Sequence, residues 1–208
     1  MIAHFIGNGN SQSLFGDFHY GTIVVGNITK NKTRWDACSI IDTKVILYMK
    51  DNNIHLQNKK IWCTKDIAKQ AKHHRIQGIW EVHYEPKHRF SCGHHAIQKL
   101  SKTHRIINLY GMDSMFSDDL TSQMDDRVPR SKRPPLNNEW RPHWSKLFAQ
   151  HPDVLYRIHA PQGTKEIDYG KNCRFVYHTT KFTKVDQTIN DTTTQVGWST
   201  HLSLSTKI

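Results

Sequence analysis

Short apolar runs recur along this chain, and each stops at Gly, Asn or Asp. Ile2–Ile6 (IAHFI) ends at Gly7-Asn8-Gly9-Asn10, and Thr22–Val25 (TIVV) ends at Gly26-Asn27. Ala37–Ile41 (ACSII) ends at Asp42, and Ile106–Tyr110 (IINLY) ends at Gly111-Met112-Asp113. A short apolar run closed by such turn residues reads as a buried strand. Lys60–Cys63, Ile79–Val82 and Asp153–His159 read as further strands, the last closed by Pro161-Gln162-Gly163.

Helical spacing fills the gaps. Asp66–His74 predicts a helix starting near a Thr64 cap. His94–Lys102 carries Ala96, Ile97 and Leu100 on one side, and Trp140–Gln150 carries Trp140, Trp144, Leu147 and Phe148 at i, i+4, i+7 and i+8. That spacing makes the two tryptophans core residues rather than a sugar-stacking platform. Val45–Lys50 (VILYMK) fits helix or strand equally. Short strands alternating with helices predict an α/β fold built from parallel βαβ units. Ligands of such sheets bind beyond the carboxyl ends of the strands, near a switch point. Asn8, Asn27, Asp42 and Asp113 all stand at strand ends. Turn chemistry accounts for any one of them; four together point to a site.

Composition narrows the partners. The net charge is +11, with 15 histidines besides, over 208 residues, which favours anionic partners: nucleotide phosphates, nucleic acid or acidic glycans. The basic residues are scattered, and Arg127–Arg133 is the one cluster, as readable as a solvated loop as an anion clamp. No helix-turn-helix, zinc-finger or RNP pattern is present, so nucleic acid ranks last. No stretch approaches the ~20 apolar residues of a membrane span, and no basic-then-apolar leader opens the chain. The four cysteines show no C-x-x-C spacing, which argues against a zinc knuckle. They are expected to be reduced thiols in a cytoplasmic protein.

The turn Gly7-Asn8-Gly9-Asn10-Ser11 can bring backbone amides close to a phosphate. It is neither the dinucleotide fingerprint nor a P-loop, since the third Gly and the Gly-Lys-Ser/Thr are absent. The order of G-N-G-x-S, strand-Gly-Asn27, Arg89-Phe-Ser91-Cys-Gly93, I-I-N-L-Y-G-M-D113 and His143 resembles the bacterial sialyltransferases with a G-N-G-P-S motif and their wider relatives in bacteria and phages. The resemblance spans residues 2 to 163 and implies a Rossmann-like, mostly parallel sheet with helices on both faces. It implies a nucleotide-sugar donor, CMP among the nucleotides it allows, and a glycan or other hydroxyl acceptor. Gly7, Asn8, Gly9, Ser11 and Asn27 would face the nucleotide, with Asp42 beside them at the third strand end. Ser91 and Gly93 would hold sugar and phosphate at a helix start, and Asp113 would lie near the base. His143 would be the general base, and Arg89 would neutralise the leaving phosphate, aided by a lid cation such as Arg130 or Lys132. No D-x-D pair is present, and the resemblance implies transfer without a metal or other cofactor. Asn10 stands where the family has Pro, Cys92 where it has Ser, and Met115 where it has Tyr.

These readings predict a nucleotide-sugar-binding domain over 1–165, with a lid loop over 117–138, and a C-terminal extension over 166–208. Thr179–Ile208 is a disordered tail or a β-rich arm that docks a homo-oligomer or larger assembly. Three functions follow: a metal-independent glycosyltransferase, a non-catalytic structural protein on the same fold, and a nucleic-acid-modifying enzyme.

Overall fold

The computed structural model describes residues 1–16, 20–27, 34–85, 90–118 and 136–179. Arg89, Arg130, Lys132, most of the expected lid (119–135) and the arm beyond Thr179 lie outside the described residues.

Eight strands form one all-parallel sheet: β1 (Ile2–Ile6), β2 (Thr22–Gly26), β3 (Ala37–Ile40), β4 (Leu56–Thr64), β5 (Gly78–Tyr84), β6 (Ile106–Tyr110), β7 (Leu155–Pro161) and β8 (Cys173–His178). The spatial order is β5-β4-β3-β2-β1-β6-β7-β8. The chain winds outward from β1 to β5, then returns beside β1 and winds the other way. The switch point therefore falls between β1 and β6. This is the α/β fold of parallel strands expected from the alternation of strands and helices, in the Rossmann-like arrangement that the resemblance implied.

The buried strands are apolar on both sides because helices cover both faces. Phe5, Val24 and Ala37 point into one core with Ala96, Ile97, Leu100, Trp144, Leu147 and Phe148. Their chain neighbours Ile6, Val25 and Cys38 point into the other, with Val45, Ile46, Met49, Ile67 and Ala71. So α1 (Thr43–Asp51) and α2 (Lys65–His73) cover one face, and α3 (Cys92–Ser101) and α4 (Arg141–Ala149) the other. Val45–Lys50 is helix: Val45, Ile46 and Met49 are buried at helical spacing while Lys44 and Leu47 stay exposed. Trp144 is core, 1% exposed.

The sheet runs past residue 165, the end expected for the domain. β8 pairs with β7 over six residues, from Tyr156↔Cys173 to Pro161↔His178. Asn172 anchors its start, donating Nδ2 to the carbonyls of Phe148, His151 and Val154, each at 3.0 Å. β8 is an edge strand with Arg174 and Tyr177 exposed, so it lacks the apolar signature of the interior strands. Among the described residues no helix is long and apolar enough to cross a membrane.

Candidate functional site

The turns after β1 and β6 lie against each other at the switch point. Gly7 N–H donates to the Tyr110 carbonyl at 2.7 Å and Gly9 N–H to the Gly111 carbonyl at 2.9 Å. A Cβ on Gly9 would stand 2.5 Å from the Asp113 carboxylate, and Gly111 has φ +62. These glycines are needed for close packing of two backbones. Ser11 links the turns further: its hydroxyl donates to Asp113 Oδ1 and accepts the Gly111 N–H at 3.1 Å. The amides of Asn10 and Ser11 also point to the Asp113 carboxylate. That carboxylate sits at the N-terminus of the 3-10 turn Asn10–Leu14, where a phosphate could otherwise bind. Burial raises the pKa of Asp113, and the hydrogen bonds from Ser11 and the backbone oppose the rise.

A second group gathers at the ends of β1, β2 and β3. Asn8 donates Nδ2 to the Gly26 carbonyl at 2.9 Å. Asn27 takes a left-handed conformation, φ +57, while its own carbonyl accepts from Cys38 Sγ at 3.0 Å. Asn8 Oδ1 and Asn27 Oδ1 are both buried and meet no donor among the described residues. Asp42 precedes α1 without a side-chain capping bond. Desolvation by its neighbours raises its pKa, with Lys44 acting against the rise. Its charge reaches the Cys92 thiol, which burial and then Asp42 push up to about 12. Buried acceptors without donors are costly unless a ligand or water supplies them.

The third component is the start of α3. Ser39 Oγ donates to the Cys92 carbonyl at 2.9 Å and pairs with Tyr84 Oη at 2.9 Å, tying this start to β3 and β5. Ser91 caps the helix, accepting from His94 N–H at 3.3 Å, and its own N–H donates to His94 Nδ1 at 3.1 Å. This capping box has His where Glu or Gln is usual. Since Nδ1 accepts, the His94 proton is on Nε2. His94 is fully buried and stacks on Trp144, ring centroids 3.7 Å apart. Burial, and secondarily the charge of His143, lower its pKa to about 3. Gly93 packs between Met112 and Phe5, where a Cβ would meet Met112 at 3.2 Å.

His143, in the first turn of α4, faces this helix start. Its ring lies 5.3 Å from that of Phe90 and 6.0 Å from that of His94. The structure thus gathers Asn8, Asn27 and Asp42 at the ends of β1, β2 and β3 with the start of α3, which carries Ser91 and Gly93, and places His143 beside Phe90 and His94. Gly7 and Gly9 bond the Tyr110 and Gly111 carbonyls, and Ser11 bonds Asp113, so these four hold the turns after β1 and β6 together. The sequence reading did not single out His94 or Ser39. The Ser91-x-x-His94 spacing before a helix was the available signal for the first; nothing marked the second, since its partners are 45 and 53 residues away. Among the described residues no three His, Cys, Asp or Glu side chains converge as a metal site. Compared with known families, curated proteins and solved structures, the chain has no significant match.

Proposed function

We propose that the chain is a glycosyltransferase that uses a nucleotide-linked sugar, bound over the carboxyl ends of β1, β2 and β3 beside the start of α3. The carrying observation is the pair of buried oxygens Asn8 Oδ1 and Asn27 Oδ1, at the ends of β1 and β2, that meet no donor among the described residues. A ribose, a sugar or an exocyclic amine would supply the missing O–H or N–H groups. The N-terminus of α3 offers a positive dipole end to the phosphate. In the reaction the acceptor oxygen attacks the anomeric carbon and its proton passes to His143. The bond from that carbon to the phosphate oxygen breaks, and the electron pair leaves with the nucleotide. An imidazole ordinarily titrates near neutrality, which suits it to a general base. Arg89 and the cations of 119–135 are proposed to meet the departing charge.

The test is turnover, including hydrolysis without acceptor, on a panel of CMP-, UDP- and GDP-sugars. His143→Ala should lower kcat about 100-fold or more, the usual contribution of a positioned general base, and leave nucleotide affinity within threefold. Equal rates in the two proteins would remove His143 from the mechanism. Asn8→Ala should weaken nucleotide binding instead.

One observation favours a second reading, a non-catalytic structural protein on this fold. The amides of the first glycine turn are taken by Asp113 and so are not open to a phosphate. Calorimetry with CMP, UDP and GDP separates the two: binding by none of them selects the structural reading.

A further inference from the structure

A groove of about 350 Å³ runs along the outer flank of α3, and Asn8, Asn27 and His143 take no part in its lining. It exists because α1 and α2 cover β4 and β5 on one face only, while α3 on the other packs over the central strands. Trp62 of β4 and Tyr84 of β5 give it an aromatic side, and Lys99 and Lys102 line the helical side. Its size is in the range of small-molecule sites, which begin at roughly 300 Å³.

Lys99 is the telling residue. Its ammonium lies 4.8 Å above the Trp62 ring. Among the described residues it donates no hydrogen bond and forms no ion pair. The nearby carboxylate of Glu81 is already engaged: it accepts from Trp62 Nε1 at 3.1 Å, pairs with His83 at 2.8 Å and faces Lys60 at 3.9 Å. Burial lowers the Lys99 pKa; Glu81 acts against this, and Lys102 and Lys60 add to the lowering. Lys99 and Lys102 thus set two ammonium groups along a groove with an aromatic side, which Glu85 also lines. A bound anion would pair with those two ammonium groups, and a ring attached to it would lie against Trp62 and Tyr84.

We propose that this groove is a second binding site, for a phosphorylated ring compound, a sugar phosphate or a nucleotide, with the phosphate on Lys99 and Lys102 and the ring against Trp62 and Tyr84. The site is separate from the transferase reading, since Asn8, Asn27 and His143 do not line it; Tyr84 alone of the residues named for it also bonds Ser39 beneath the start of α3. Charge and ring contribute jointly, so inorganic phosphate alone should bind more weakly than either ester.

The test follows the Trp62 indole N–H resonance, assigned with Trp62→Phe, during titration of the full chain with ribose 5-phosphate, CMP and inorganic phosphate. Ribose 5-phosphate or CMP should shift this resonance saturably, and inorganic phosphate should bind at least tenfold more weakly. Lys99→Met, which keeps the apolar stem over Trp62, and Lys102→Met should each weaken ester binding about tenfold; Lys65→Met, on the opposite face, should not. CMP binding tighter than ribose 5-phosphate identifies a nucleotide, and equal affinities identify a sugar phosphate. Four results overturn the proposal: an unmoved Trp62 resonance at millimolar ester, affinities unchanged in both lysine variants, inorganic phosphate binding as tightly as the esters, or binding confined to single-stranded oligonucleotides.

Discussion

A methyl group on Gly9 would meet the Asp113 carboxylate at 2.5 Å, so the glycine turn is explained first by its neighbour across the switch point. The φ of Gly9 is −71, which any residue adopts, so the cost of Gly9→Ala is steric and not conformational. Overpacking of this kind costs about 1–3 kcal/mol, and we expect that loss in urea denaturation. Asp113→Ala removes both the obstacle and the partner of Ser11. The double variant should then be more stable than the sum of the single losses predicts, by about 1 kcal/mol. Strict additivity would show that the two residues do not touch in solution. The same geometry separates what these residues do for the fold from what they could do for a ligand. Ser11 and Asp113 satisfy each other, and Gly7 and Gly9 donate to the Tyr110 and Gly111 carbonyls, whereas Asn8 and Asn27 keep an oxygen unsatisfied.

The start of α3 ties an element's stability to pH. His94 accepts the Ser91 N–H through Nδ1, which an imidazolium cannot do, and a positive charge there would oppose the helix dipole. Its folded pKa of about 3 lies below the unfolded value of 6.5, so the unfolded chain binds the proton first. Stability is therefore full above pH 6.5 and falls as pH drops from 6.5 toward 3, by about 1.4 kcal/mol per unit within that window. Gln at this position keeps the capping-box chemistry without the titration. Between pH 7 and pH 5 the wild type should lose about 2 kcal/mol more than His94→Gln, read as the shift in urea midpoint. Parallel pH profiles would show that His94 does not titrate in this way. Elements bounded by local chemistry were legible in the sequence. Thr64 caps α2 as its position before Asp66–His74 suggested, accepting the Ile67 N–H at 3.4 Å. Interior strands were legible because burial on both faces makes them continuously apolar. Val45–Lys50 was ambiguous because an apolar run that short satisfies either period. At the site, the strand-end residues could be named from their turns. The contacts that hold them, Ser39 to Tyr84 and Ser11 to Asp113, join residues 45 and 102 positions apart, and no local pattern encodes them.

At the scale of the molecule, the sheet's order decides where ligands and edges fall. Winding outward twice from the centre puts β1 and β6 side by side and leaves β5 and β8 as edges. β8 closes one side of the core that holds α4: Cys173 is buried there, Phe175 packs against it, and Tyr169 Oη donates to the Met115 carbonyl at 2.6 Å just ahead of the strand. Asn172 binds the carbonyls of Phe148 in the last turn of α4 and of His151 and Val154 in the α4–β7 connection, so removing it takes that partner from all three. A chain ending at residue 165 therefore loses more than an appendage. It exposes Tyr156, Ile158 and Ala160 along a new edge of paired strand and opens the core beneath α4. We expect that truncation to be insoluble or to unfold at least 10 °C lower, as several kcal/mol of lost burial and hydrogen bonding imply for a domain of this size. A chain ending at residue 179 keeps β8 and should retain a cooperative transition. Equal melting of the two truncations would mean that the functional unit ends before β8. A loss confined to the shorter one places β8, with the carbonyls it fixes behind α4 and His143, within the unit that carries the site.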